Sequence, residues 1–307
     1  MIEKNFELLD ELEKRRVKLR RRYITMSTVL FLLFFPLYAS YSLIGLVPLG
    51  KKTISFLKYA FLVLSVISIL GSICSLVIGS RKLKEIKIIL FRDVFKPTVE
   101  ATLKGCRYDH DTGLQYETIA DSLIVPPHDR FSSSDLIDGK EDGVSFIQSS
   151  VILEKEERDR DRSGNIHKSY FTSFSGIFIV FSLPKVIKEQ IVISDSINFL
   201  RGFNEIKSND ADFDKAFKIF SKSEADTFTI LTQELMEAIV KIKNAYSGSV
   251  SLSFYKNQLV LGIDEHKPRF FISLKLPINE QIYKEIEEDA SLIKDIVKTL
   301  KLNDSIF

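Results

Sequence analysis

Tryptophan is absent from this chain, and cysteine nearly so, with only Cys74 and Cys106 present. Cys74 lies inside an apolar run and Cys106 in polar sequence, so no structural disulfide is expected and a reducing compartment is favoured. An excess of one charge is also missing: 43 Lys and Arg stand against 41 Asp and Glu, a formal net charge of +2. That balance argues against a globally basic nucleic-acid binder and against an acidic, solvating chain. No internal repeat and no low-complexity linker breaks the sequence.

The most informative absence is local. Residues 24–49, ITMSTVLFLLFFPLYASYSLIGLVPL, carry no charge, and neither do residues 59–80, YAFLVLSVISILGSICSLVIGS. As helices they would cover roughly 39 Å and roughly 33 Å, enough for a hydrocarbon core of about 30 Å. A short polar break around Lys51 and Lys52 separates them, which predicts a transmembrane hairpin, about 24–49 and 55–80, within residues 23–80. A cleavable signal peptide fits the first run less well, because the basic region is long, the run is long and no A-x-A site follows.

Positive charge sets the expected orientation. Arg15, Arg16, Arg20, Arg21 and Arg22 precede the hairpin, and Arg81, Lys82 and Lys84 follow it. They outnumber Lys51, Lys52 and Lys58 at the turn, so both termini are expected in the cytoplasm of a two-pass inner (cytoplasmic) membrane protein. Residues 1–22 read as a basic cytoplasmic helix whose acids come first and bases last; it either snorkels its arginines to headgroups or recognises anionic lipid. Gly71, Ser75 and Gly79 recur every four residues on one stripe, for packing within the hairpin or against another copy.

Residues 81–105 continue as a helical stalk interrupted at Pro97, with Leu83, Ile86, Leu90 and Val94 on its apolar stripe. Residues 106–307 read as a cytoplasmic α+β domain. A short helix is expected over YETIADSLIV (116–125), a strand over 144–157, one or two strands over 168–183 and another over 190–195. A turn is expected at Gly164-Asn165, then two hairpin arms, VSLSFYK and LVLGID, and a last strand at 269–276. Helices are expected over about 222–244 and after Asn279, an N-cap. The fold class is therefore a membrane-anchored α+β protein: a two-helix hairpin, then a mostly antiparallel sheet with flanking helices.

Chemistry is sparse. GLVPLGKKT (45–53) approaches the phosphate-binding pattern G-x-x-x-x-G-K-[ST], but Lys52 holds the Mg²⁺-ligand position and a membrane helix precedes it. It reads as the tip of the hairpin. Cys106 and His110 are spaced C-x-x-x-H near Asp109 and Asp111, yet a zinc site needs a second pair, and only His128 is a candidate to join them. The serines of FSSSD (131–135) read as loop and cap chemistry. No catalytic residue, cofactor or metal is assigned.

Four stretches carry a resemblance: FRDVFKPTVEA, EDGVSF, SFSGIFIVF and DFDKAFKIFSKSEADTFTILTQELMEAI. Together with the hairpin they resemble a bacterial family catalogued as a domain of unknown function (number 3137), over nearly the whole chain. The resemblance implies a two-pass inner-membrane protein with a cytoplasmic domain and a LemA-type membrane-protein partner; it defines no catalytic residue. Phe213 and Phe217 in its last stretch read as core. The expected function is a non-enzymatic membrane-anchored scaffold or adaptor that binds a protein partner or a second copy. The alternatives are a lipid or small-ligand sensor, or an enzyme with its site around Cys106, His110 and His128.

Overall fold

The computed structural model describes residues 2–48, 50–160, 166–266 and 277–302. The expected turn at Gly164-Asn165 and last strand at 269–276 lie outside the described residues. Two compact units divide the chain: Met1–Phe95 with Ile272–Ile282, and Lys96–Phe271 with Tyr283–Phe307.

In the first unit, α1 runs from Ile2 to Leu43 with Pro36 inside it, and α2 from Lys51 to Leu90. Both are long and apolar enough to cross a membrane. Between them Ile44–Leu46 form a single 3-10 turn, so the first helix stops short of the end of its charge-free run. Pro48 and Gly50 fall in the connection. The two helices pack along a seam of small residues. Ser65, Ser68, Ser72, Ser75 and Gly79 are buried on α2, at alternating steps of three and four that keep them on one face. A Cβ at Gly79 would sit 2.8 Å from Cβ of Tyr23, so only glycine permits this approach. Away from the seam, Phe31, Leu32 and Phe35 on α1 and Phe56, Ile67 and Leu70 on α2 are exposed. After α2 the helical path takes a π turn at Phe91–Phe95 and resumes as α3, Lys96–Thr102. The interruption falls one turn before the expected Pro97, because a proline's missing N–H and its ring disturb the turn that precedes it.

The second unit is built on a seven-stranded sheet, counting described residues. Its strands are β1 (Arg107–Asp109), β2 (Arg130–Glu141), β3 (Val144–Arg160), β4 (Ile166–Ser194), β5 (Asn204–Ile206), β6 (Lys218–Ser221) and β7 (Ser249–Asp264). Every pairing is antiparallel. Asp142-Gly143, both at positive φ, make the two-residue turn from β2 to β3, the conformation that suits a tight hairpin. β4 is the organiser. β3 and then β6 pair with one edge of it, and β7 runs along the other.

Three expectations change here. FSSSD is part of β2 rather than a loop: its serines face neighbouring strands, with Ser133 Oγ 2.7 Å from Ser149 Oγ. Residues 168–183 and 190–194 belong to the single strand β4, with Asp195 just past its end, and the two expected arms are halves of the single strand β7. The breaks inferred from sequence are corners within strands. Between the pairs Ser182–Gln258 and Ile187–Lys256, β4 advances five residues while β7 advances two. The excess forms a bulge around Pro184, which has no N–H to give the ladder. Lys256, at φ +54, turns β7 at the same place.

The corner folds the sheet over. A straight 16-residue strand would reach about 50 Å, yet the two ends of β7 meet. A Cβ at Gly248 would fall 1.7 Å from the carbonyl oxygen of Asp264. Leu153, Phe174 and Phe178 from before the corner share one core with Val192 and Phe220 from after it, and Ile119 and Ile124 fill in between.

Helices complete the unit. The expected 116–125 helix is one turn, α4 (Tyr116–Ala120). The expected 222–244 helix is two, α6 (Glu224–Ile230) and α7 (Gln233–Ala245), because the side chain of Thr232 caps a new helix through the backbone N–H of Leu235. Phe213 lies in α5 (Ala211–Ala216) and Phe217 caps it just before β6, both buried. α8 (Gln281–Leu300) buries Ile286, Ala290, Ile293, Val297 and Leu300 on one side, and Asn279 Oδ1 accepts from the Gln281 N–H at 3.1 Å.

Candidate functional site

Opposite the corner the folded sheet has an open mouth. A cavity of about 790 Å³ lies there. Its floor is apolar, from Ile124, Phe174, Ile197 and Leu200, and Gly262 on β7 keeps it deep. A Cβ at Gly262 would press on Phe178 and Ile124 at 3.2–3.3 Å. One wall is Leu123–His128, turning at Pro126-Pro127; the other is Ser196–Leu200, just after β4. Asp195 pins that second wall: its Oδ2 accepts from the Lys243 ammonium and from the Val250 N–H, and Lys243 also donates to the Gly248 carbonyl at 2.9 Å.

Two further features belong to the mouth. Leu123 (φ +60) and His266 (φ +56) line it in left-handed conformations, which cost energy for side-chain-bearing residues and gather at functional sites. Phe199 stands at the rim 77% exposed.

The polar groups of the mouth are mostly committed to structure. Asp264 Oδ1 accepts the backbone N–H groups of Ser175 (3.1 Å) and His266 (3.0 Å). Ser251 Oγ lies 2.7 Å from Ser194 Oγ, and Ser173 Oγ donates to the Leu153 carbonyl at 3.3 Å. His128 Nδ1 lies 2.8 Å from the Pro126 carbonyl oxygen. A carbonyl only accepts, so that nitrogen carries the proton and Nε2 of the neutral ring is an acceptor. The arrangement can hold a ligand; among the described residues it has no serine or cysteine poised on a base.

The residues weighed from sequence do not converge. Cys106 is buried against Gly139, and burial pushes its thiol pKa up, the reverse of an activated nucleophile. His110 Nδ1 lies 2.5 Å from Asp135 Oδ1, which also accepts from the Tyr108 hydroxyl at 2.7 Å. Burial first, and then the Asp135 charge, drive the Tyr108 pKa far up. His128 belongs to the mouth instead. Among the described residues no group of three or more His, Cys, Asp or Glu side chains could hold a metal ion.

The basic residues flanking the hairpin divide. Arg20, Arg21, Arg22, Arg81, Lys82 and Lys84 are exposed. Arg15 reaches Glu85 on α2 at 3.8 Å. Arg16, only 5% exposed, donates twice to Glu13 at 2.7 Å, and Glu13 Oε2 also accepts the Ile278 N–H at 2.8 Å. In the stripe, Ser75 donates to the Tyr23 carbonyl at 3.1 Å, and Gly71 faces the Leu30 side chain. Ser68 and Ser72, missed from sequence, carry more of the seam. Ser72 Oγ lies 2.8 Å from Ser27 Oγ and 3.1 Å from its carbonyl, and Ser68 donates to the Leu30 carbonyl. Serines every three or four residues in an apolar run were the available signal. The mouth had none, because its residues come from five separate stretches.

Residues 172–302 match the model of a family described as protein of unknown function (DUF3137). The matched stretch starts in β4 and takes in β7 and α8. FRDVFKPTVEA and EDGVSF lie before it, so the match is narrower than the resemblance over nearly the whole chain. No curated protein matches the chain. A crystal structure of the mycobacterial trehalose monomycolate transport factor A, TtfA, aligns with 68% of this chain and 97% of its own, at 7% identity and a TM-score of 0.34. A likeness that low carries no argument about fold or function.

Proposed function

We propose that the protein is a non-enzymatic, membrane-anchored binding protein whose sheet domain takes a ligand at its mouth. The observation that carries this reading is the cavity itself. Its volume of about 790 Å³ lies within the roughly 300–1,000 Å³ usual for small-molecule sites, and it combines an apolar floor with polar groups along its walls. The two apolar helices supply the anchor. Their outward side chains, such as Phe31, Phe35, Phe56 and Leu70, are exposed, an arrangement that suits lipid and is costly in water. The flanking arginines and lysines support a cytoplasmic location for both termini and for the sheet domain.

A second reading keeps the scaffold role, with the mouth receiving an apolar segment of a protein partner, a LemA-type membrane protein or a second copy. The exposed Phe199 supports it, since aromatic anchors at pocket rims dominate many interfaces. A photo-crosslinking residue at position 199 of the full chain, in its own membrane, separates the two. Adducts of small mass support the ligand reading, and a single protein-sized adduct supports the scaffold. The absence of any adduct sinks both.

A further inference from the structure

We infer that the mouth selects an uncharged ligand with a long apolar body and a hydroxyl end; the inference rests on the ligand-binding reading above. The floor of Ile124, Phe174, Ile197 and Leu200 offers nothing to a charge. Among the described lining residues there is no lysine or arginine, and the one carboxylate, Asp264, is 7% exposed. A sulfate, phosphate or carboxylate head entering here would lose its water beside a buried negative charge, the costliest combination. A cationic head would have to compete for that carboxylate. Asp264 Oδ1 already accepts two backbone N–H groups, and the His266 ring stands 3.3 Å from the same oxygen.

A hydroxyl meets neither obstacle. It can donate to Nε2 of the neutral His128 ring, whose one proton the Pro126 carbonyl holds on Nδ1. It can accept from the side chains of Asn198 or Ser249, which line the same mouth. A neutral hydroxyl is also the cheapest polar group to bury. Such a molecule could come from the bilayer or from solution; the shared chemistry is an alkyl chain ending in an alcohol.

The missing tryptophan makes the test direct. In Phe199→Trp, placed in phosphatidylcholine nanodiscs as the full chain, the only indole reports from the rim of the mouth. Hexadecanol, hexadecyl sulfate and hexadecyltrimethylammonium share one chain and differ in charge. They are titrated at equal mole fraction in the disc, and hexadecanol is also offered to discs from solution to compare the sources. The expected result is a saturable blue shift with hexadecanol at about tenfold lower mole fraction than with either charged homologue, a factor worth about 1.4 kcal/mol. The shift should vanish when Ser173→Leu, which fills the mouth, is added. Ser196→Trp reads the same wall should Phe199→Trp not fold. Equal responses to the three, or a charged homologue in the lead, overturn the charge selection and leave ligand binding standing. A shift that survives Ser173→Leu reports the bilayer and overturns the inference. No response to any of the three brings down the ligand reading of the mouth as well.

Discussion

Gln148 sits on β3 opposite Ile137 and Ile179, fully buried, and neither its side-chain oxygen nor its nitrogen has a partner among the described residues. Leaving such a group unpaired costs roughly 1–3 kcal/mol. Gln148→Met keeps the volume and removes the orphaned atoms, so thermal unfolding followed by circular dichroism should show a gain of about that size. A loss would mean the amide has partners. Glu13 is the opposite case. The hydrogen bond from Arg16 lowers its pKa from the usual 4.5, with the Ile278 N–H helping against the cost of burial. A folded-state pKa below the unfolded one stabilises fully above about pH 4.5 and is lost as pH falls through the lowered value. The first unit should therefore loosen in acid below about pH 4.5, and Glu13→Gln should remove that part of the pH dependence. Amide exchange at Ile278, measured across that range in both proteins, checks it.

The helix seam and the sheet edges make the next tests. Ser72 meets both the hydroxyl and the carbonyl of Ser27. Hydrogen bonds between membrane helices average about 0.6 kcal/mol and reach about 1.7. Ser72→Ala should weaken the hairpin by that order, while Gly79→Leu, which drives side-chain atoms into Tyr23, should separate the helices. Cysteine crosslinking across the seam reads both. In the sheet, β3 and β4 stay paired out to Arg160 and Ile166, beyond the last pairs of β2 and β7. At the base of this arm an aspartate covers each edge. Asp129 Oδ2 takes the Glu156 N–H at 2.6 Å, and Asp264 Oδ1 takes that of Ser175. Charged guards on open edges oppose edge-to-edge pairing, so Asp129→Ala should raise concentration-dependent aggregation in light scattering, and an unchanged profile would remove the guard role. The elements themselves were largely legible. Long periodic stretches such as α8, and charge-free ones such as α2, announce themselves, whereas β2 did not. Its serines have loop chemistry in isolation and become strand residues by pairing with Ser150, Val151 and Ile152 of β3. Likewise Thr232 looks like one more helical residue until its hydroxyl caps α7.

At the scale of the whole molecule, the chain should pellet with membranes and resist carbonate extraction, since α1 and α2 both meet the length and apolarity of a crossing. Release by carbonate would remove the anchor from the proposal. The hairpin was legible because a missing charge is a local property. The mouth was not: it depends on Gly248 touching Asp264 and on a corner that sequence presents as two turns. That corner also fixes an order of assembly. β3 and β4 follow one another closely in sequence and can pair as they leave the ribosome, but Ser175 and Asp264 are 89 residues apart. Distant pairings pay their loop-closure entropy late and form slowly. The mouth, which needs both ends of β7, should therefore form after the β3–β4 pair, and until it does the nascent chain carries a β4 edge still waiting for β7.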